Sequence, residues 1–254
     1  MEDILAGFDP ASAADWKAQL TKDLKGITFE QLSRIDDNGI TIEPFYTVEN
    51  VDNHDTVPVF AHTDWSIMER IIVAEEPVAN QQALQALSTG ASGLIFEVEG
   101  TTTDWAVLLR DVEVAYIHTF FNLKQASAAS VAALKAYLEA HHAQQATIGH
   151  DALYDFVQGS ADAASFAVAV SLIAEHTGQI VVDGSLYYNA GATSVYQLGL
   201  IAAQVNEYLQ ALSDQQSLDK VQQLHVTVAT GTAFFEEIAK VRALKQMLEL
   251  LTSQ

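Results

Sequence analysis

The feature that most constrains the fold is a regular alternation of short apolar segments with longer amphipathic segments from about residue 76 onward. Each short segment has the length of a buried strand, and each longer one has helical spacing. The predicted strands are residues 93–98, 114–121, 146–148, 180–183 and 224–229. Strands that alternate with crossover-length helices predict a parallel sheet. Five such units fit an open doubly wound sheet as well as part of a (β/α)₈ barrel, which needs eight.

The first 75 residues have a different pattern. Trp16, Leu20 and Leu24 recur at helical spacing, and the run stops at Gly26, a typical helix end. Short extended pieces follow around the turn sequence of residues 37–39, and three of the four prolines lie in this region. We therefore expect residues 1–75 to form an arm of one helix and extended segments, and residues 76–254 to form the α/β domain.

Composition excludes several classes of function. The formal charge of −21 repels phosphate backbones and anionic membrane surfaces, so we expect no nucleic-acid or membrane partner. The absence of cysteine excludes disulfides, thiolate metal sites and a cysteine nucleophile. Glu2, Asp3 and Asp9 interrupt the apolar residues that a signal peptide would need, and no apolar run reaches the ~18 residues of a membrane span. We expect a cytoplasmic protein.

Histidines offer weak evidence for a metal or acid–base site. The predicted strands place His118 and His150 at or near carboxyl-terminal strand ends, where α/β barrels hold their chemistry. No spacing rule supports a metal site, so we expect none. The sequence Asp52-Asn53-His54 is similar to the Asp-x-His-x-x-Gly of cobalamin-binding domains, but Val57 replaces the glycine, and we interpret the segment as a solvated turn.

Two acidic pairs, Glu75-Glu76 and Glu236-Glu237, suggest acid–base partners at first sight. Both pairs fall at predicted helix starts, where negative charge is favourable, and we interpret them as structural. A more informative segment is 183–192, in which two glycines bracket Tyr187 and Tyr188 at a strand-to-helix turn. Such a turn either presents ligand contacts or is simply a tight connection.

The segment from residue 186 to 193 reads Leu-Tyr-Tyr-Asn-Ala-Gly-Ala-Thr, and three others accompany it: Pro-Phe-Tyr-Thr at 44–47, Asp-Trp-Ser-Ile-Met-Glu-Arg at 64–70, and Phe-Phe-Glu-Glu-Ile-Ala-Lys-Val-Arg-Ala at 234–243. In the same order along the chain, these segments resemble motifs of the methylmalonyl-CoA mutase family. The family motifs are Tyr-His-Met-Gln-Glu-Ala-Gly-Ala-Thr, Pro-Leu-Tyr-Thr, Pro-Trp-Thr-Ile-Arg-Gln-Tyr and Asn-Phe-Phe-x-Glu-Ile-Ala-Lys-x-Arg-Ala.

The resemblance implies a TIM-type (β/α) barrel that binds acyl-CoA along its axis, with adenosylcobalamin held by a separate carboxyl-terminal domain. The implied chemistry is a radical shift that interconverts methylmalonyl-CoA and succinyl-CoA, with the cofactor doing the difficult step. With about five βα units, the implied fold is a truncated barrel preceded by the arm. Since no cobalamin domain follows Gln254, we expect no cofactor on this chain.

Three catalytic positions of the family hold other residues. Arg70 replaces a tyrosine, Gly149 replaces a glutamine, and Leu186 replaces the histidine that hydrogen-bonds the thioester carbonyl. Loss of one such donor costs roughly 3–4 kcal/mol of barrier. The resemblance therefore implies a chain of an isomerase family that is inactive by itself. The residues expected at a vestigial substrate site are Trp65, His118, His150, Tyr187 and Tyr188.

The resemblance points to the non-catalytic small subunit of the mutase, an enzyme of propionate metabolism. Such a subunit forms a heterodimer with a catalytic large subunit, which carries the adenosylcobalamin, and we expect a homodimer in isolation. The alternative is a stand-alone acyl-CoA-binding protein or enzyme that reuses the barrel mouth. Its ligands would be His118, His150, Tyr187 and Tyr188.

Overall fold

The structure is a computed structural model that describes residues 11–50, 65–100, 102–157 and 162–253. The amino-terminal arm has two helices and a small hairpin: α1 (Ala13–Asp23), α2 (Phe29–Leu32), β1 (Arg34–Ile35) and β2 (Thr41–Ile42), followed by a 3-10 turn at Val48–Asn50. A capping box between Ser12 and Asp15 starts α1. The Trp16 ring stacks on Phe45 at 4.7 Å, which joins the helix to the segment after the hairpin. The predicted arm helix and turn are both present.

The first half of the domain contains a parallel sheet of four strands in sequential order. Its elements are β3 (Met68–Val73), α3 (Glu76–Ser88), β4 (Gly93–Val98), α4 (Trp105–Leu108), β5 (His118–Leu123), α5 (Ala128–Ala140) and β6 (Ala146–Gly149). Leu94, Phe96 and Val98 alternate along β4 and are buried in an apolar core, where Phe96 stacks on Phe121 at 5.3 Å. The other face of β4 carries Ile95 and Glu97.

The second half contains two parallel strands flanked by long helices. Its elements are α6 (Ala152–Val157), α7 (Ala163–Thr177), β7 (Gln179–Asp183), α8 (Ser185–Asn189), α9 (Ser194–Asp214), a 3-10 turn (Leu218–Lys220), β8 (Gln223–Thr227) and α10 (Phe234–Thr252). A second core forms here from Ile180 and Val182 of β7 with Ile201, Val205 and Tyr208 of α9. Gly178, with φ of 71°, ends α7 in the left-handed conformation, as the sequence predicts.

A glutamine side chain connects the two halves. Gln179, the first residue of β7, accepts a hydrogen bond from the Ile148 amide (3.0 Å) and donates to the Ala146 carbonyl (3.4 Å). Its amide therefore links β7 to β6 at the point where the two backbone ladders are separate. Within the described residues, strands β3 to β8 follow one another in sequential order across this seam. Closure of the strands into a barrel stays a prediction.

The structure confirms the mixed α/β fold with parallel strands and corrects two details. Val114 does not begin β5, which starts at His118. The Val114 side chain is buried in the first core, but its backbone forms a turn after Asp111, whose φ is 60°. The segment 68–73 lies in the region predicted as arm, yet it forms β3 and pairs with β4 along its whole length. The charged residues Glu69 and Arg70 interrupt the apolar pattern of this strand, so the sequence does not predict it.

Candidate functional site

Polar side chains collect where strands β4 to β7 end. Parallel α/β sheets bind ligands outside the carboxyl ends of their strands, so a ligand site is expected at this edge. A small cleft, partly open to solvent, lies there, with an internal volume of about 10 Å³, which is room for roughly one water molecule. It is bordered by Asn122, Leu123, Lys124, His150, Asp151, Tyr154, Asp183 and Leu186.

Glu97 is the centre of a charged cluster beside this cleft. Its carboxylate accepts hydrogen bonds from Arg70 Nε (3.0 Å) and from Asn122 Nδ2 (3.1 and 3.2 Å). Lys124 Nζ lies 2.9 Å from Oε2 and Arg70 Nη2 lies 2.9 Å from Oε1. Burial favours the neutral acid, but the bonds from Lys124 and Asn122 and the two positive charges outweigh it and lower the pKa of Glu97. Glu97 is thus a carboxylate held in place by paired donors.

His150 follows β6 directly and is buried. Its Nδ1 lies 2.7 Å from the carbonyl oxygen of Leu123. Because a carbonyl only accepts, Nδ1 carries the proton and donates it to the backbone. The bond ties the end of β6 to the end of β5, so this histidine has a structural role in addition to its place on the cleft wall.

Asp151 joins the cleft to the second core. Its Oδ1 accepts from the Tyr208 hydroxyl (2.6 Å) and from Gln204 Nε2 (2.9 Å), and its Oδ2 accepts from the Asp183 amide (3.2 Å). The Tyr187 hydroxyl donates to Gln204 Oε1 at 2.7 Å. Burial, with the nearby charge of Asp151, raises the pKa of Tyr208 well above its ordinary value. Burial and the charges of Asp151 and Asp183 raise the pKa of Tyr187 to about 12.

The three replaced family positions have different surroundings. Arg70 binds Glu97, and Leu186 lines the cleft with an apolar side chain that has no donor. Gly149 faces β7, and a Cβ added there would lie 2.6 Å from a methyl group of Val181. Val181 therefore occupies the space that any side chain at position 149 would need.

The candidate substrate residues do not form one site. His150 borders the cleft. Tyr187 is linked to the cleft residue Asp151 through Gln204, whose side chain bonds both. Tyr188 turns toward α10, where its ring lies 5.3 Å from Lys240 Nζ. Lys240 is itself buried, forms a salt bridge with Glu237 and donates to the Ala229 carbonyl at 2.7 Å. Tyr187 and Tyr188 therefore make their contacts in two different parts of the molecule.

The expected position of His118 is wrong. It is the first residue of β5, five residues before the carboxyl end, or about 16 Å at 3.3 Å per residue. It therefore lies at the opposite edge of the sheet from His150. Trp65 precedes β3 at that same edge and is 85% exposed. The stand-alone acyl-CoA site, which needs His118 and His150 together, loses its main support.

The two acidic pairs lie at helix N-termini. Glu75 and Glu76 start α3, and Glu236 and Glu237 lie in the first turn of α10, as predicted. Within the described ranges, no group of three or more histidine and acidic side chains could hold a metal ion. The turn at residues 52–54 and Val57 lie outside the described residues.

The residues that sequence analysis missed are Glu97, Asn122 and Lys124. A signal was available for Glu97, because a lone acid in an otherwise apolar strand (93–98) needs a buried partner. Its partners come from β3, from β5 and from the residue after β5, and no local spacing rule connects them. Only the parallel pairing of Glu97 with Asn122 brings them together.

Comparison with known proteins identifies the family to which this α/β chain belongs. The family model described as methylmalonyl-CoA mutase matches residues 88–253, more than half of the chain. The chain belongs to the methylmalonyl-CoA mutase family.

Two curated relatives carry the name methylmalonyl-CoA mutase small subunit. One, from Porphyromonas gingivalis, is 26% identical over 95% of this chain and 44% of its own length. The other, from Streptomyces virginiae, is 28% identical over 89% of this chain and 41% of its own length. The chain thus spans less than half the length of the curated relatives it matches. Among its described helices, none has the length and apolar character needed to cross a membrane.

Proposed function

We propose that this chain acts as a non-catalytic small subunit, or as the amino-terminal portion of one, in an adenosylcobalamin-dependent methylmalonyl-CoA mutase. Its role is to support a catalytic large subunit, in a cytoplasmic heterodimer. Family membership and two relatives named as small subunits support this assignment. The sequential parallel strands are those expected of part of a TIM-type (β/α) barrel.

The observation that carries the proposal is the closed interior at position 149. A side chain able to donate to a thioester oxygen cannot enter there, because Val181 lies where its Cβ would be. Leu186 contributes no donor, and Arg70 is bound to Glu97. Preorganised donors supply much of the stabilisation of a developing oxyanion. Without them, the cleft has no means to promote acyl-CoA rearrangement.

Adenosylcobalamin does not fit the residues present at the strand ends. A cobalt ligand would come from a histidine, and the histidine at these strand ends, His150, is only 7% exposed, so a group as large as a corrin cannot approach its ring. The neighbouring charged groups Glu97, Arg70 and Lys124 are paired with one another. We therefore assign the cofactor to the large subunit, where it would supply the radical chemistry.

The test is reconstitution. The full chain is purified and mixed with the mutase large subunit of the same organism, and complex formation is followed by size-exclusion chromatography with light scattering. We expect a one-to-one complex and mutase turnover only when the large subunit is present. Calorimetry with methylmalonyl-CoA should give no binding to the chain alone.

Two controls separate the outcomes. The chain is incubated with adenosylcobalamin, desalted and examined for the corrin absorbance band, which should be absent. Turnover by the chain alone, or retained corrin, would contradict the non-catalytic role. Tight acyl-CoA binding by the chain alone, without complex formation, would favour the stand-alone alternative.

A further inference from the structure

The Glu97 cluster has more cations than its single carboxylate needs. Arg70 and Lys124 each lie 2.9 Å from a different oxygen of Glu97, and Asn122 donates to both oxygens. The chain has only 12 basic residues against 33 acidic ones, yet two of them converge here. The summed charge of Arg70, Lys124 and Glu97 is about +1, although Asp151 and Asp183 border the same cleft as Lys124.

The donors are held by parts of the fold that do not depend on the Glu97 side chain. Arg70 belongs to β3 and Asn122 to β5, on opposite sides of β4. The Lys124 backbone amide donates to the Val98 carbonyl at 2.9 Å, and its ammonium group lies 5.7 Å from the centre of the Tyr154 ring. The backbone that carries the donors is therefore fixed by the sheet.

The carboxylate is buried while the site is open on one side. The Glu97 side chain is 6% exposed, whereas that of Arg70 is 61% exposed. A small molecule can therefore reach the cluster from the Arg70 side without opening the core. The guanidinium fork also matches the planar geometry of a carboxylate better than it matches a spherical ion.

We propose that Arg70, Asn122 and Lys124 form a binding site for a small carboxylate, and that in this chain the site is filled by the carboxylate of Glu97 itself. Its own side chain thus closes the strand-end edge to acidic ligands. This inference is independent of the assignment as a small subunit, since it concerns a site and a ligand class that the subunit role does not require. The lowered pKa of Glu97 agrees with it, because the same donors would keep a bound carboxylate ionised.

The test is replacement of the Glu97 carboxylate by one from solution. Glu97→Ala removes a CH₂–COO⁻ group and leaves a methyl, so the space created has the size of acetate. Glu97→Gln is the matched variant, because its amide removes the charge and fills the space. Thermal unfolding of both variants and of the unaltered chain is measured in sodium acetate and in sodium chloride of equal ionic strength.

We expect acetate to raise the Tm of Glu97→Ala by about 2–4 °C relative to chloride, as for a ligand at ten times its Kd in a chain of this size. The unaltered chain and Glu97→Gln should show no difference between the two salts. Glu139→Ala, which removes an exposed acid paired with Lys135, should show none either.

A Tm of Glu97→Ala that is the same in acetate and in chloride would overturn the proposal. An equal rise in acetate and chloride would mean charge screening alone, and a larger rise in phosphate than in acetate would mean a general anion site. If Glu97→Ala does not fold in chloride, refolding is attempted in acetate. Recovery there supports the site, whereas failure there, with Glu97→Gln folded, overturns it.

Discussion

The two halves of the domain achieve stability by different means. The first half, β3 to β6, has an uninterrupted four-strand ladder over an apolar core that includes Leu94, Phe96 and Phe121. The second half, β7 and β8 with α9 and α10, has only two strands, and polar groups enter its core: Tyr208 is fully buried and bonds Asp151 at the edge of the cleft. In the first half the apolar core and the polar Glu97 cluster lie on opposite faces of the sheet, whereas in the second half a buried hydrogen-bond network enters the apolar core itself.

The seam between the two halves contains position 149, one of the three replaced family positions. Gln179 bridges β6 and β7 with its side chain, and Val181 fills the space beside Gly149. The close approach of Gly149 and Val181 therefore lies at the junction of the halves, where the backbone ladder is interrupted. Substitutions in each half, at the seam and at the arm test this description.

The largest effect should come from the packed first half. Phe96→Ala removes a fully buried ring that stacks on Phe121, so the free energy of unfolding should fall by about 3–5 kcal/mol. Urea unfolding followed by circular dichroism measures it. The matched control is Phe235→Ala, since Phe235 is 83% exposed and its loss should change stability by less than about 0.5 kcal/mol. Equal effects would mean that the first core is not packed as described.

The second half should be sensitive to a single hydroxyl. Tyr208→Phe removes the donor to Asp151 and the acceptor for Gln204, and should cost roughly 1.5–3 kcal/mol near pH 8, as for a hydrogen bond to a charged group. A raised tyrosine pKa means that the folded state resists ionisation. Its contribution is therefore complete below the unfolded pKa of about 10 and is lost as pH rises through the higher folded value.

Urea unfolding at pH 8 and at pH 11 checks this prediction. The difference between the original chain and Tyr208→Phe should shrink at the higher pH. Tyr187, with a pKa of about 12, keeps part of the alkaline loss in both proteins. A difference that stays constant across this range would contradict the pKa shift of Tyr208.

The seam should show coupling between the halves. Gly149→Ala forces a Cβ against the β-branched Val181 and should cost about 1–3 kcal/mol. Val181→Ala removes the two methyl groups and leaves its Cβ at 3.0 Å, so the clash is reduced. The double variant should therefore be more stable than the sum of the single effects by about 1 kcal/mol. Urea unfolding of the four proteins gives the coupling energy. Additive effects would mean that the two residues do not touch.

Much of the fold could be predicted because its signals are local. The strand at 93–98 and the helix capped at Gly178 follow from periodicity and from glycine chemistry. The strand at 68–73 was missed because Glu69 and Arg70 break its apolar pattern, and their role depends on β4. Val114 misled the prediction in the opposite way, since an apolar residue in a turn can be buried without belonging to a strand.

The candidate site was harder to predict because its contacts join distant elements. The family resemblance identified Arg70, Gly149 and Leu186, but not what fills the space around them. Glu97 and Lys124 are 27 residues apart, and Gly149 and Val181 are 32 apart. Strand register decides these contacts, and register is a property of the assembled sheet.

The arm should have the smallest effect, and the test decides which half it joins. Asn38, in the arm hairpin, accepts a hydrogen bond from the Val195 amide at 2.9 Å and donates to Glu236 at 2.9 Å. The N-cap residue of α9, Thr193, makes no capping bond of its own, so Asn38 caps this helix from 157 positions away. Asn38→Ala should therefore cost about 0.5–1 kcal/mol, the low end for a cap, since this site is exposed.

Hydrogen exchange read by NMR gives the sharper readout. The Val195 amide should exchange faster in Asn38→Ala by about twofold to fivefold, as 0.5–1 kcal/mol implies, whereas amides of β4 should not change. Asn38→Asp keeps an acceptor for Val195 but sets a second carboxylate against Glu236, so it should retain the protection and still lose stability. Asp37→Ala, one residue earlier in the same turn, is the control and should leave Val195 protected. Because the arm precedes the first half in sequence, its seat on α9 and α10 means that it reaches across to the second half. Faster exchange in β4 with Val195 unchanged would place the arm on the first half instead.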